Sequence, residues 1–295
     1  MNLDYLVNTN KYTNIKEILK QEFEISDRLL LRLKKQKKIL LNSKPTYIHS
    51  LVQIGDVISV IFDSEEDNSN IVPTQMDINI LYEDEWILIV NKPNNLAVHP
   101  SHLHYTNSLS NGIKYYYNSI NLKKKIRPVN RLDKDTSGIV IFAKNAYIQE
   151  CLIKQMKAKT FKKEYIAIVD GILEKNSGII SAPISRKENS IIERCVSPLG
   201  DLAITYYTVL KNYKDHSLVH FLLGTGRTHQ IRVHCSYINH PISGDTLYGK
   251  SSKYISRQAL HSNKVTFIHP ISRKLISIEA PMPEDMCNFI ELILL

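Results

Sequence analysis

The chain has 295 residues, 43% of them hydrophobic and 23% charged, with a formal net charge of +9. That balance excludes an intrinsically disordered chain, and the excess of Lys and Arg points to an anionic partner. No apolar run approaches the ~18 residues of a membrane-spanning helix, and the N-terminus has no secretory apolar core. Cys151, Cys195, Cys235 and Cys287 form no close-spaced pair, so neither a disulfide scaffold nor a zinc site is expected. Cytoplasmic residence without a membrane or an obligate protein partner follows as the default. The length suits a small module in front of a catalytic domain of roughly 200 residues.

Residues 1–63 read as that module. Ile15, Ile18 and Leu19 mark a short amphipathic helix. Ser26 caps a second, in which Leu29, Leu30 and Leu33 form the inward stripe. Arg28, Arg32, Lys34, Lys35, Lys37, Lys38 and Lys44 follow with no acid among them. A solvated helix face would account for such a run, but its density before a hairpin favours phosphate contacts. Two helices, a basic turn, ILLN and the later strand VISVIF resemble the S4 RNA-binding module. The resemblance makes Arg28, Arg32, Lys34 and Lys35 substrate-binding residues.

The sequence DSEEDNSNIVPT is acidic and polar, which predicts a linker over residues 64–76 and a catalytic domain over 77–295. That domain opens with a strand at residues 87–90 that stops at Asn91-Lys92-Pro93. His99, His102 and His104 then fall in a loop; no neighbouring carboxylate or Cys supports them as metal ligands, and none is assigned. A helix ending in Tyr115–Tyr117 and a basic approach of Lys123, Lys124 and Lys125 come next.

The stretch RPVNRLDKDTSGIVIFAK, residues 127–144, sets Asp133 and Asp135 among Arg127, Arg131, Lys134 and Lys144, just ahead of an apolar strand. A carboxylate among cations can serve as nucleophile or base, or simply form surface ion pairs in a turn. Ile148, Leu152, Ile153 and Met156 then recur at helical spacing, and residues 163–169 alternate as a strand bearing Tyr165. Residues 177–198 read as a basic hairpin with Arg186, Lys187 and Arg194. Strands are predicted near 203–211 and 216–223, and a C-terminal helix after Pro283. Between them LLGTGRTHQIRVH, residues 222–234, leads through a Gly-rich turn into a helix. Its Arg227 could offer a bidentate fork to the carboxylate of the earlier stretch. With no regular βαβ repeat, the class is α+β, with a mainly antiparallel, mixed sheet and flanking helices.

NRLDKDTSG followed by IVIFAK closely resembles the signature of the RluA-type pseudouridine synthases. KKEYIAIVDG, GRTHQIRVH, HPISGDTLYG and YEDEWILIVNKPNNLAVHP resemble further segments of that family. The resemblance covers residues 78–280. It implies isomerisation of uridine to pseudouridine within RNA, with large-subunit ribosomal RNA as the expected partner and no cofactor or metal. By the same resemblance Asp133 is the essential carboxylate, either attacking C1′ or stabilising charge while a glycal forms. Arg227 is its ion-pair partner, and Tyr165 stacks on uracil and mediates proton transfer. Arg131 contacts RNA, and Ile231 lines the other face of the ring, although an Ile there equally suits an ordinary core. One departure stands at Asn130, where the family signature begins with His; Asn keeps a hydrogen-bonding side chain but has no titrating ring. A non-catalytic RNA-binding protein and a carboxylate-dependent glycosidic-bond hydrolase are the competing classes.

Overall fold

The structure, a computed structural model, describes residues 2–62, 68–101 and 105–294. The N-terminal part comprises β1 (Asn2–Leu6), α1 (Ile15–Gln21), α2 (Asp27–Lys35), β2 (Ile39–Leu41), β3 (Lys44–Pro45) and β4 (Val57–Ile61). Its strands form an antiparallel sheet in the order β1-β4-β2-β3. Both helices start at side-chain caps: Asn14 accepts from the Glu17 N–H and Ser26 from the Leu29 N–H, satisfying donors the helix itself cannot. Ile15, Ile18, Leu19, Leu29, Leu30 and Leu33 are buried as the periodicity predicts. Arg28, Lys34 and Lys35 face outward, and Arg32 is half-buried.

This unit packs on the larger C-terminal part. Phe62 stacks on Tyr147 with ring centroids 4.8 Å apart, and Lys154 pairs with Glu24 at 3.3 Å. Of the expected linker, residues 64–67 lie outside the described part, and residues 68–76 are strapped down. Ile71 is buried, the Asn68 side chain accepts from the Ile126 N–H, and Asn111 ties Val72 and Thr74. Acidic composition suggested a tether, but Ile71 and the Asn side chains give this half a docking surface.

The remaining elements are β5 (Asn79–Glu83), β6 (Ile87–Lys92), α3 (Leu109–Ser119), β7 (Ser137–Ala143), α4 (Ala146–Lys157), β8 (Lys162–Asp170) and β9 (Ser177–Ser181). After them come β10 (Ile184–Arg186), β11 (Arg194–Val196), β12 (Ile204–Asn212), β13 (His216–Leu223), α5 (Gln230–Tyr237), β14 (Leu260–Ile268), β15 (Leu275–Glu279) and α6 (Glu284–Leu294). One nine-stranded sheet runs β5-β6-β7-β14-β8-β13-β12-β9, with β15 added to β14. Its pairings are antiparallel except β7 with β14, so the sheet is mixed and mainly antiparallel, as expected.

Both faces of β7 are covered, which explains its unbroken apolar run. Ile139 and Ile141 face α4, the N-terminal core and Trp86, while Val140 and Phe142 face α3 through Leu109, Ile113 and Tyr117. Tyr117 is therefore a core residue; Tyr116 donates its hydroxyl to Glu83. A further core joins Tyr165, Ala167, Phe221, Ile231 and Phe289, binding β8 and β13 to α5 and α6.

Gly138 sits where β7 meets β14, at φ +114°, and a Cβ there would lie 2.2 Å from the Ser262 carbonyl oxygen. Both the left-handed backbone and the strand contact require glycine. Gly138→Ala is expected to cost about 1–3 kcal/mol or more, read as a lowered midpoint in thermal or denaturant unfolding.

Candidate active site

The loop from residue 130 to 136 delivers Asp133, and backbone bonds hold it from several sides. The Thr136 N–H returns to the Asp133 carbonyl at 3.1 Å. The fully buried Lys92 donates to the carbonyls of Pro93, Leu96 and Lys134 at 2.7, 2.8 and 2.9 Å. Burial pulls the Lys92 pKa down to about 7, opposed first by Asp135. Three carbonyl acceptors nevertheless match the three protons of the charged form, and the geometry describes an ammonium. Arg257, paired with Asp285 of α6, also donates to the Asp135 carbonyl at 3.1 Å. Asn130 spans the backbone of β7: its amide donates to the Ile139 carbonyl and its oxygen accepts from the Ile141 N–H, both at 2.9 Å. Its carboxamide thus continues the ladder on that side of β7 and positions the loop.

Asp133 opens into a pocket with about 70 Å³ of free space, whose walls include Arg131, Tyr165, Leu223, Ile231, Arg232 and Leu260. Its carboxylate is 26% exposed, and its partner is Arg232, whose Nη1 lies 3.1 Å from Oδ2. The expected pairing with Arg227 is not formed. Arg227 lies in the turn before α5, where Nη1 reaches Asp201 at 3.2 Å and Nε reaches the Leu202 carbonyl at 3.1 Å. Five residues later, inside α5, Arg232 faces the pocket. Its other edge makes a bidentate fork with Asp245, through Nε at 2.7 Å and Nη2 at 2.8 Å. Burial weakens the Arg232 cation, but the bonds and charges of Asp245 and Asp133 outweigh it and leave the pKa raised.

The rest of GRTHQIRVH builds the same wall. Thr228 accepts from Arg131 at 3.2 Å, and the Gln230 side chain ties Thr225 and the Arg227 N–H to β12. Ile231 is buried against the pocket, and His234 bonds Thr205 and the Ala182 carbonyl. His229, at φ 57°, places Nε2 3.7 Å from Asp133 and Nδ1 2.7 Å from the Tyr248 hydroxyl. Burial lowers the His229 pKa, with Asp133 opposing and Arg232 reinforcing the shift.

Tyr165 lines the pocket from β8 and is buried. Burial pushes its phenol up to about 12, so at neutral pH it is a donor and a ring, not a base. Arg28, Arg32, Lys34 and Lys35 lie on α2 and are not among the pocket walls. His99 bears on Ser110 at 3.4 Å, and His102 and His104 lie outside the described residues. Sequence reasoning missed Arg232, Asp245, His229 and Lys92, although all four lie inside the family-like motifs. The only usable signal for Arg232 was its neighbour Ile231, which already marked a buried helix face.

A carboxylate fixed by a buried guanidinium, beside a tyrosine and an aliphatic wall, can stabilise positive charge developing next to a small flat ring. A sequence model of the RNA pseudouridylate synthase family matches residues 86–237, and the chain belongs to that family. It is 40% identical to "Uncharacterized RNA pseudouridine synthase YhcT" of Bacillus subtilis, over 92% of this chain and 90% of the other. It is 36% identical to "Ribosomal large subunit pseudouridine synthase D" of Blochmanniella floridana, over 87% of each. Among solved structures, "Human RNA Pseudouridylate Synthase Domain Containing 1" superposes with a TM-score of 0.59 at 25% identity, covering 73% of this chain and 86% of that one. The protein is an RNA uridine-to-pseudouridine isomerase.

Asp245→Asn removes one half of a buried pair and leaves Arg232 under-compensated. Unfolding should show a loss of about 3–5 kcal/mol. Single-turnover conversion should fall about a hundredfold as Arg232 drifts from Asp133. A second measurement concerns Tyr165, whose pKa is raised on folding. It favours the folded state fully below the unfolded value near 10, and that contribution is lost as pH rises towards about 12. An ultraviolet difference titration of wild type against Tyr165→Phe should therefore show one phenol fewer ionising near 12, and none fewer near 10.

Proposed function

We propose that the substrate is large-subunit ribosomal RNA, and that Asp133 acts at the sugar of a uridine turned out of its stack. The observation carrying this reading is the Asp133–Arg232 pair at 3.1 Å inside the pocket shared with Tyr165 and Ile231. Arg232 keeps the carboxylate oriented without reorganisation as charge develops at C1′. Tyr165 and Ile231 flank the space where the detached uracil must turn and be retained, since its loss would end in hydrolysis instead of isomerisation. Arg131, exposed and bonded to Thr228 at the rim, contacts the RNA. Residues 1–63 supply an RNA-binding module whose Arg28, Arg32, Lys34 and Lys35 meet phosphates, setting affinity without reading bases.

The ribosomal assignment draws on relatives named ribosomal large subunit pseudouridine synthase D, which share 36% and 35% identity over 87% and 88% of this chain. Cytoplasmic residence goes with that substrate; among the described residues no helix is long and apolar enough to cross a membrane. The hydrolase alternative requires a second carboxylate to activate water. Asp133 is the one acid among the described pocket walls, and Asp245 behind it is fully buried and committed to Arg232.

Pseudouridine mapping of total RNA from cells with and without the gene should reveal a uridine in large-subunit ribosomal RNA whose modification depends on it; a map without one overturns the substrate. On that RNA, folded Asp133→Asn should lose more than about a thousandfold in single-turnover conversion, whereas Asp135→Asn retains activity. Arg227→Ala, at an exposed pair, should cost less than about tenfold. A dead Asp135→Asn beside an active Asp133→Asn would transfer the role to the other aspartate.

A further inference from the structure

A second groove, of about 600 Å³, borders the Asp133 pocket and shares the walls Leu223 and Arg227 with it. Nothing in the reaction at Asp133 uses its other walls. Its walls include the apolar Met156, Phe161 and Tyr206 and the cationic Lys157, Lys159 and Lys163. Lys163 precedes Tyr165 by two residues on β8, so both side chains leave the same face of the strand, about 6.6 Å apart. That interval is close to one backbone repeat of an extended single-stranded nucleic acid.

The surroundings of Lys163 differ from those of Lys92 and Lys144. Lys92 spends its protons on three carbonyls and Lys144 on Glu83 and Asp84. Among the described residues no carboxylate or carbonyl meets Lys163 Nζ, though the side chain is half-buried and burial lowers its pKa. Carboxylates are present on the strand, but they alternate to the other face, where Glu164 pairs with His220 at 2.8 Å. The Gly-rich turn covers the ammonium so closely that a Cβ at Gly226 would lie 2.9 Å from Nζ. A cation held in place, partly desolvated and left without an anion is a site for an anion that arrives with the substrate.

We infer that this groove holds the nucleotide adjoining the target uridine, with its phosphodiester on Lys163, Lys157 and Lys159, and its base against Met156 and Tyr206, over a floor that Phe161 closes from the core. The inference rests on the reading that the uridine enters the Asp133 pocket. Gripping the neighbour offsets part of the unstacking cost of turning the uridine out.

The test uses the full-length enzyme and a short RNA spanning a uridine that wild type converts. Lys163→Gln should raise KM about tenfold, with the smaller effect on kcat, and lower the salt slope of binding by about one. Lys163→Arg should restore both. Neutral methylphosphonate linkages placed singly on either side of the uridine should weaken wild-type binding at one linkage, and that linkage should cost Lys163→Gln nothing more. A scan in which no linkage loses its effect in the variant, or an unchanged KM, overturns the groove assignment. Should Lys163→Gln melt below the assay temperature, the exposed pair Lys157→Gln/Lys159→Gln takes its place, with the same two outcomes deciding. Wild type that converts no ribosomal uridine defeats the substrate reading; wild type that converts one while the scan stays flat defeats only the groove.

Discussion

The Asp245 fork on Arg232 is the constraint on which the site depends. A guanidinium this buried is unfavourable unless every edge finds a partner, and the fork satisfies two N–H groups while directing a third at Asp133. Asp245 is itself fixed, accepting the N–H groups of Leu247 and Tyr248 at 3.1 and 3.2 Å. Its turn hangs on the sheet through Ser243, whose N–H meets the Ile168 carbonyl at 2.9 Å. Gly244 lets the chain pass Arg257, because a Cβ there would lie 2.3 Å from the Arg257 carbonyl oxygen. The strand that carries Tyr165 therefore also carries the turn that orients Arg232. Ring, guanidinium and carboxylate are registered to one another through β8.

Most of the fold could be read from the sequence because its signals are local. The Leu29, Leu30, Leu33 stripe, the Ser26 cap and the apolar run of β7 each follow from spacing within a few residues. What escaped was set by contacts between segments far apart in the chain. Asp133 and Arg232 are 99 residues apart, and GRTHQIRVH alone holds two arginines with equal claim to the carboxylate. Only the αL residue His229 and the start of α5 decide between them, turning Arg227 to the rim and Arg232 inward. Lys92 was equally silent, since a lysine after a strand ordinarily marks an exposed end. Its three carbonyl acceptors come from two loops that meet only in the folded chain. Asn130 shows the converse: a substitution within a motif read as a loss of chemistry is, in place, a carboxamide that mimics strand backbone.

The proton traffic of the pocket can be narrowed by the same accounting of donors and acceptors. The Tyr248 hydroxyl accepts the Arg194 N–H at 2.8 Å, which leaves its own proton for His229 Nδ1. With Nδ1 accepting that proton, the neutral His229 ring carries its hydrogen on Nε2, 3.7 Å from Asp133. Tyr165, with its phenol pushed up to about 12, is likewise protonated at working pH. Asp133 is left as the one anion among the described walls, bonded by Arg232, with the His229 imidazole and the Tyr165 phenol beside it and Ile231 and Leu260 closing the apolar side. A pocket with one anion and no second base is poorly equipped to activate water against a glycosidic bond. It is well suited to holding charge at a sugar while the base, still enclosed, changes the atom through which it is attached.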